Sequence, residues 1–239
     1  GRVQDNTVNT SLMPMFHLSL VPYANGIRSY QAFDRDVEHF NSVEKQIDKL
    51  YVACGNEQLD EARSKHFFNL VESLSVKIGD NNNNDALCAL LLQRSVAYST
   101  LQNFDAAIAD ATTLLSIDST SAMAYWHRAV CQMAVSGFKA SNGVDVKLQE
   151  AGALSDLNKA ITLKPQNAYL YYCRANLYAH QGNNEKAVAD YTLAIKLDNR
   201  FAEAYFNRGL TYIALDNRSL GVKDLSKAGE LGLYSAYNI

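Results

Sequence analysis

The sequence predicts an all-α protein, a stack of helical hairpins preceded by a short β-ribbon. Three observations carry that expectation. Residues 202–235 repeat residues 168–201 at a period of 34. Apolar or small residues recur three or four apart within each copy, which gives each helix one buried stripe. Of the three prolines, Pro14 and Pro22 fall in the first 22 residues, so only Pro165 interrupts the rest.

The elements follow in order. In "VNTSLMPMFHLSLVPY", Phe16, Leu18 and Leu20 alternate with His17, Ser19 and Val21, which reads as a strand. "TVNTSL" before Pro14 is its candidate partner, so residues 1–33 form an extended segment that must dock elsewhere to persist. Val37, Phe40, Val43, Ile47 and Leu50, then Leu59, Ala62, Phe67, Leu70, Leu74 and Ile78, take helical spacing, so residues 34–87 read as one degenerate hairpin. The polar loop "GDNNNND" closes it, with Asp85 placed to cap the next helix.

Four repeats occupy residues 88–235: 88–121, 122–167, 168–201 and 202–235. Shifting the last by 34 sets Tyr205 on Tyr171, Arg208 on Arg174, Gly209 on Ala175 and Tyr212 on Tyr178. Its second half sets Gly221 on Ala187, Leu225 on Tyr191 and Ala228 on Ala194. The copy from Cys88 puts Leu91, Arg94, Ser95, Tyr98, Ala107, Ala111 and Leu114 at the same places. The copy from Ala122 is 12 residues too long, and its excess falls within about 137–150, where Gly137, Ser141, Asn142 and Gly143 predict a loop, with room for extra helix at its end. Small residues at the eighth and twentieth places let two helix backbones approach closely, and "QGNN" at 181–184 supplies a turn. Residues 236–239 fall where a further helix would start, and read as a shortened cap.

This pattern resembles the tetratricopeptide repeat (TPR). Departures are the insertion, Gln132 where an aromatic is usual and Leu114 where alanine is usual. The resemblance implies a right-handed superhelix with a concave groove, and a protein-interaction module without chemistry of its own. "FNRG" and "ADYTLAI" are similar to arrays of long bacterial tetratricopeptide proteins, many of them exported, which tilts the expected compartment toward the cell envelope.

The seventh place of every repeat is arginine: Arg94, Arg128, Arg174 and Arg208. The twenty-third, allowing for the insertion, is aspartate: Asp110, Asp156, Asp190 and Asp224. Four of each predict a ladder of structural ion pairs, within or between repeats, rather than an anion-binding row.

The family's groove-facing places then become the candidate site: Leu92, Gln93, Trp126, His127, Tyr169, Tyr172, Cys173, Asn176, Phe206 and Asn207. Family members that grip an acidic peptide terminus use a lysine, arginine and asparagine clamp in these places; here there is no lysine or arginine, and Glu203 either repels a carboxylate or is a solvated charge near a helix start, the commoner case. An aromatic and amide surface suits an extended or helical apolar segment. Two alternatives stay open: a module whose groove its own chain fills or that self-associates, and a glycan or small-ligand site.

Net charge is −3, so no basic field argues for nucleic acid. Apolar runs such as Ala86–Leu92 are too short to span a bilayer. The four cysteines show no CxxC or CxxH spacing and read as small buried residues. No GxGxxG, P-loop, HExxH or GxSxG occurs, so neither catalytic residue, metal nor cofactor is expected.

Overall fold

A computed structural model describes residues 61–81, 83–141, 147–233 and 236. The expected β-ribbon, the first helix of the degenerate hairpin and residues 237–239 lie outside the described residues. Within them every regular element of four residues or more is helical: α1 (Glu61–Gly79), α2 (Asn84–Thr100), α3 (Phe104–Ile117), α4 (Ala122–Ser141), α5 (Lys147–Leu163), α6 (Ala168–His180), α7 (Asn184–Leu197), α8 (Ala202–Ala214) and α9 (Arg218–Glu230). They fall into two compact units, 61–167 and 168–236.

Caps and turns explain the boundaries. Asn83, not Asp85, caps α2: its side-chain oxygen accepts from the Asp85 and Ala86 amides at 2.9 and 3.3 Å. Asp85 lies in the first turn, where a carboxylate favours the helix N-terminus. Three hairpins then turn alike. The fifteenth place takes positive φ at Gln102, Gly182 and Asp216. The next residue, Asn103, Asn183 or Asn217, donates its amide to the carbonyl of Tyr98, Tyr178 or Tyr212 at 2.8–2.9 Å. Only glycine adopts that φ without strain, so Gln102 and Asp216 hold it because the turn around them demands it.

The expected loop at 137–150 is largely helix. α4 runs on to Ser141 and α5 begins at Lys147, so only 142–146 lie outside the description. A lone glycine costs a helix about 1 kcal/mol, too little for Gly137 to end one followed by Phe138, Lys139 and Ala140. Gln132, in the place of an aromatic, has a reason: its amide lies 3.2 Å from where a Cβ on Gly152 would sit. A planar amide fills the space that glycine leaves.

The core is built at the repeat's small and apolar places. Ala107, Ala153 and Ala187 at the twentieth place, and Leu114, Ala160, Ala194 and Ala228 at the twenty-seventh, are completely buried. Ser95 offsets the burial of its hydroxyl by donating to the Ala107 carbonyl at 2.6 Å. α8 and α9 approach closely at their glycines. A Cβ on Gly221 would stand 2.6 Å from Ile213 Cγ1 and 2.9 Å from the Gly209 carbonyl, so no larger residue fits without movement.

Candidate functional site

The arginines and aspartates meet within each repeat. Arg94 Nε and Nη2 donate to the two oxygens of Asp110 at 2.8 and 2.6 Å. Arg128 holds Asp156 at 2.7 and 2.7 Å, Arg174 holds Asp190 at 2.7 and 2.9 Å, and Arg208 holds Asp224 at 2.6 and 3.0 Å. These are two-pronged, charge-assisted bonds. The third edge of the guanidinium reaches the preceding hairpin. Nη1 of Arg94, Arg128 and Arg208 donates to the hydroxyls of Ser75, Thr112 and Thr192 at 2.9, 3.2 and 2.9 Å. Each hydroxyl in turn donates to a carbonyl one helical turn back. Sequence reading missed this third member, although Thr112 and Thr192 share the twenty-fifth place. Ser75 on α1 takes the same part, so α1 stands to α2 as a repeat's second helix.

Tyrosine rings close the faces of the guanidinium. Arg174 lies 5.8 and 5.9 Å from the Tyr171 and Tyr178 centroids, and Arg208 5.6 and 5.8 Å from those of Tyr205 and Tyr212. Arg94 meets Tyr98 and Arg128 meets Tyr125, each at 5.8 Å. All four stay firmly charged. The aspartate hydrogen bond is the largest influence on Arg94, Arg128 and Arg174, against a smaller opposing effect of burial. At Arg208 burial is the largest single influence, outweighed by the bond and charge of Asp224 together with its tyrosines.

The other candidate residues lie on the first helices. In the unit of residues 61–167, Leu92 and Gln93 on α2 and Trp126 and His127 on α4 are buried, Trp126 to 1% exposure. His127 Nε2 sits 3.7 Å from Cys131 Sγ, one turn along. Burial lowers the imidazole to about 4 despite a hydrogen bond to the Ser95 backbone, and pushes the Cys131 thiol up to about 12. At neutral pH the pair is uncharged, so it lacks the thiolate a nucleophile needs.

In the unit of residues 168–236 the amides and phenols converge. Tyr191 OH donates to Asn176 Oδ1 at 2.5 Å; Asn207 Nδ2 donates to the same oxygen at 2.8 Å and to the Tyr172 oxygen at 3.2 Å. Asn176 Nδ2 is buried and meets no acceptor in hydrogen-bond geometry, though the Tyr172 oxygen feels its dipole. Around this network the Phe201 ring lies 4.7 Å from Tyr172 and, nearly parallel, 6.0 Å from Tyr169. Cys173 is buried and free of disulfide. Phe206 lies elsewhere, in the core cluster with Leu210, Leu225, Ala228 and Ala236. Phe201 and Tyr191 escaped the sequence reading as members of this cluster. Phe201 sits in a linker, and Tyr191 at a core place where its hydroxyl carried no periodic signal.

Among the described residues no helix is long and apolar enough to cross a membrane, and no group of three His, Cys, Asp or Glu is placed to hold a metal.

Successive helical hairpins, each braced by the same ion pair, define a helical-repeat protein. A family model described as "TPR repeat" matches residues 175–216, and one described as "Tetratricopeptide repeat" matches 157–189. Residues 157–216 thus match tetratricopeptide-repeat models. Similar solved structures share the fold. The crystal structure of MamA is 23% identical over 75% of this chain and 98% of its own, with a TM-score of 0.61. MamA 41-end from Desulfovibrio magneticus RS-1 is 18% identical over 73% of this chain and 97% of its own, with a TM-score of 0.55. TTC0263, a thermophilic TPR protein in Thermus thermophilus, is 17% identical over 74% of this chain and 91% of its own, with a TM-score of 0.56. No curated protein matches this chain. The fold points to a protein–protein interaction scaffold, and TPR families are generally non-catalytic.

Proposed function

We propose that the protein is a non-catalytic scaffold that binds an extended segment of a protein partner against the first-helix faces. Aromatic rings anchor the partner's apolar side chains and amides bond to its backbone. The observation that carries this reading is Asn176. Its buried amide nitrogen lacks a well-formed bond while its oxygen takes two, within a cluster of Tyr172, Tyr191 and Asn207. That nitrogen is only partly satisfied by the Tyr172 oxygen, and a partner's backbone carbonyl that reaches it as the covering side chains move aside completes its bonding. The test is affinity capture with wild-type protein and Asn176→Leu as baits, identified by mass spectrometry. A partner held by the wild type and lost from the variant is expected; the same proteins on both baits would move the site elsewhere.

The burial of Trp126 favours a second reading, in which this protein's own chain covers that face. The emission maximum of Trp126 and its quenching by acrylamide decide it, compared in the intact chain and one lacking residues 1–33. Protection lost on deletion supports self-filling. Protection unchanged places the cover within the repeats.

A further inference from the structure

The residue that already lies on the Asn176 cluster shows which side chain a partner brings there, and this step rests on the peptide-binding reading above. Phe201 ends the linker between α7 and α8 and is the N-cap of α8. It holds the thirty-fourth place of its repeat, where the two repeats before it have Ser121 and Asn167. Serine and asparagine cap a helix start; phenylalanine does not. Ser121 Oγ accepts from the Ala124 amide at 3.2 Å, whereas α8 has no side-chain cap bond. A residue that breaks a local rule marks a place where something else is gained.

The gain is ring contact. The Phe201 ring lies 4.7 Å from that of Tyr172 and, nearly parallel, 6.0 Å from that of Tyr169. Tyr172, Asn176 and Asn207 are buried, while Phe201 stays partly exposed. A phenyl ring makes no conventional hydrogen bond, so contact alone holds it against Tyr172. The backbone of Phe201 is held separately. Its amide donates to the Asp198 carbonyl at 3.2 Å, and its carbonyl accepts from the Ala204 and Tyr205 amides at 3.1 and 3.2 Å. Those bonds do not depend on χ1, so the ring can turn off Tyr172 with the start of α8 intact.

We propose that Phe201 is a resident stand-in for an aromatic side chain of the bound segment. The arriving ring takes the seat against Tyr169 and Tyr172, Phe201 turns aside, and the segment's backbone beside that ring bonds to the Asn176 amide. The seat fits a phenyl group because one already fills it. Tilted and offset ring pairs gain beyond their buried area, which favours an aromatic over an aliphatic side chain. Affinity then depends on how often the seat stands open.

The test is a phage-displayed library of random dodecapeptides, panned in parallel on the intact chain and on Phe201→Ser, which empties the seat and supplies a capping residue. Phe201→Leu, apolar but without a ring, is the second variant, and thermal unfolding by circular dichroism checks that both are folded. The strongest peptide is synthesised with its aromatic residue and with alanine in its place, and both are titrated by fluorescence anisotropy. Expected is an aromatic residue enriched at one position on both panned proteins. Phe201→Ser should bind the peptide about five-fold more tightly than wild type, as a seat open roughly a fifth of the time gives, with Phe201→Leu between them. Alanine should weaken binding to all three and remove the difference among them, because a peptide without the ring no longer competes with Phe201. Retained peptides without an aromatic position, binding to the variants no tighter than to wild type, or a difference that survives alanine each overturn the seat while leaving peptide binding intact. If no peptide is retained on either panned protein, peptide binding itself fails and the seat with it.

Discussion

Two faces of the same helices behave differently. Along one edge, the guanidinium of every repeat grips its own aspartate with the same two nitrogens, and three of the four show the same bond to the hairpin before. On the other, the fifth place alone runs Leu92, Trp126, Tyr172, Phe206, so no two repeats carry the same residue there. A contact repeated in every unit serves the stacking of units. A buried place that changes from unit to unit is where the packing of one array differs from that of another.

The ladder is the first place to break that comparison. Arg208→Ala leaves Asp224, whose side chain is 9% exposed, without its cation, and should cost about 3 kcal/mol in urea unfolding. Arg208→Lys keeps the charge but loses the fork, and should recover less than half. A cost near zero for both would show that the ladder does not set stability. A change of slope with little loss would point to looser stacking instead.

The variable face is tested by acid. His127 takes up its proton only near pH 4 when folded and near 6.5 when unfolded. The unfolded chain therefore binds more protons below pH 6.5, and stability falls as pH drops through that window. The full effect is about 3 kcal/mol. Urea midpoints at pH 7.5 and 4.5 should show it, and His127→Asn should flatten the slope whatever its stability at neutral pH. An unchanged slope means that His127 is not buried as neutral imidazole.

The smallest effect separates the two bonds of the ladder. Thr192→Val keeps the shape of the side chain and removes the acceptor that Arg208 Nη1 reaches in the hairpin before. It should cost about 1 kcal/mol. A cost as large as that of Arg208→Ala would make the bond between hairpins, not the pair within one, the main support.

Gly221 records a similar division inside one hairpin. Its place in the repeat was legible as a small residue; that alanine there would meet Ile213 at 2.6 Å was not. The ladder's residues could be read because both partners recur at fixed spacing. Its third edge was hidden because Ser75 lies outside the regular period, in the degenerate hairpin before the first repeat.

The sequence by itself determined the helical hairpins, their period and the ladder's two charged members. Each follows from local spacing, which fixes the face a residue takes on its helix. Tertiary structure decided which aspartate each arginine meets, that the insertion lengthens α4, and that Phe201 and Tyr191 join Tyr172 and Asn176 in one cluster. Those outcomes depend on how close neighbouring helices come and which side chain fills the gap, and that distance is not written in the spacing along the chain.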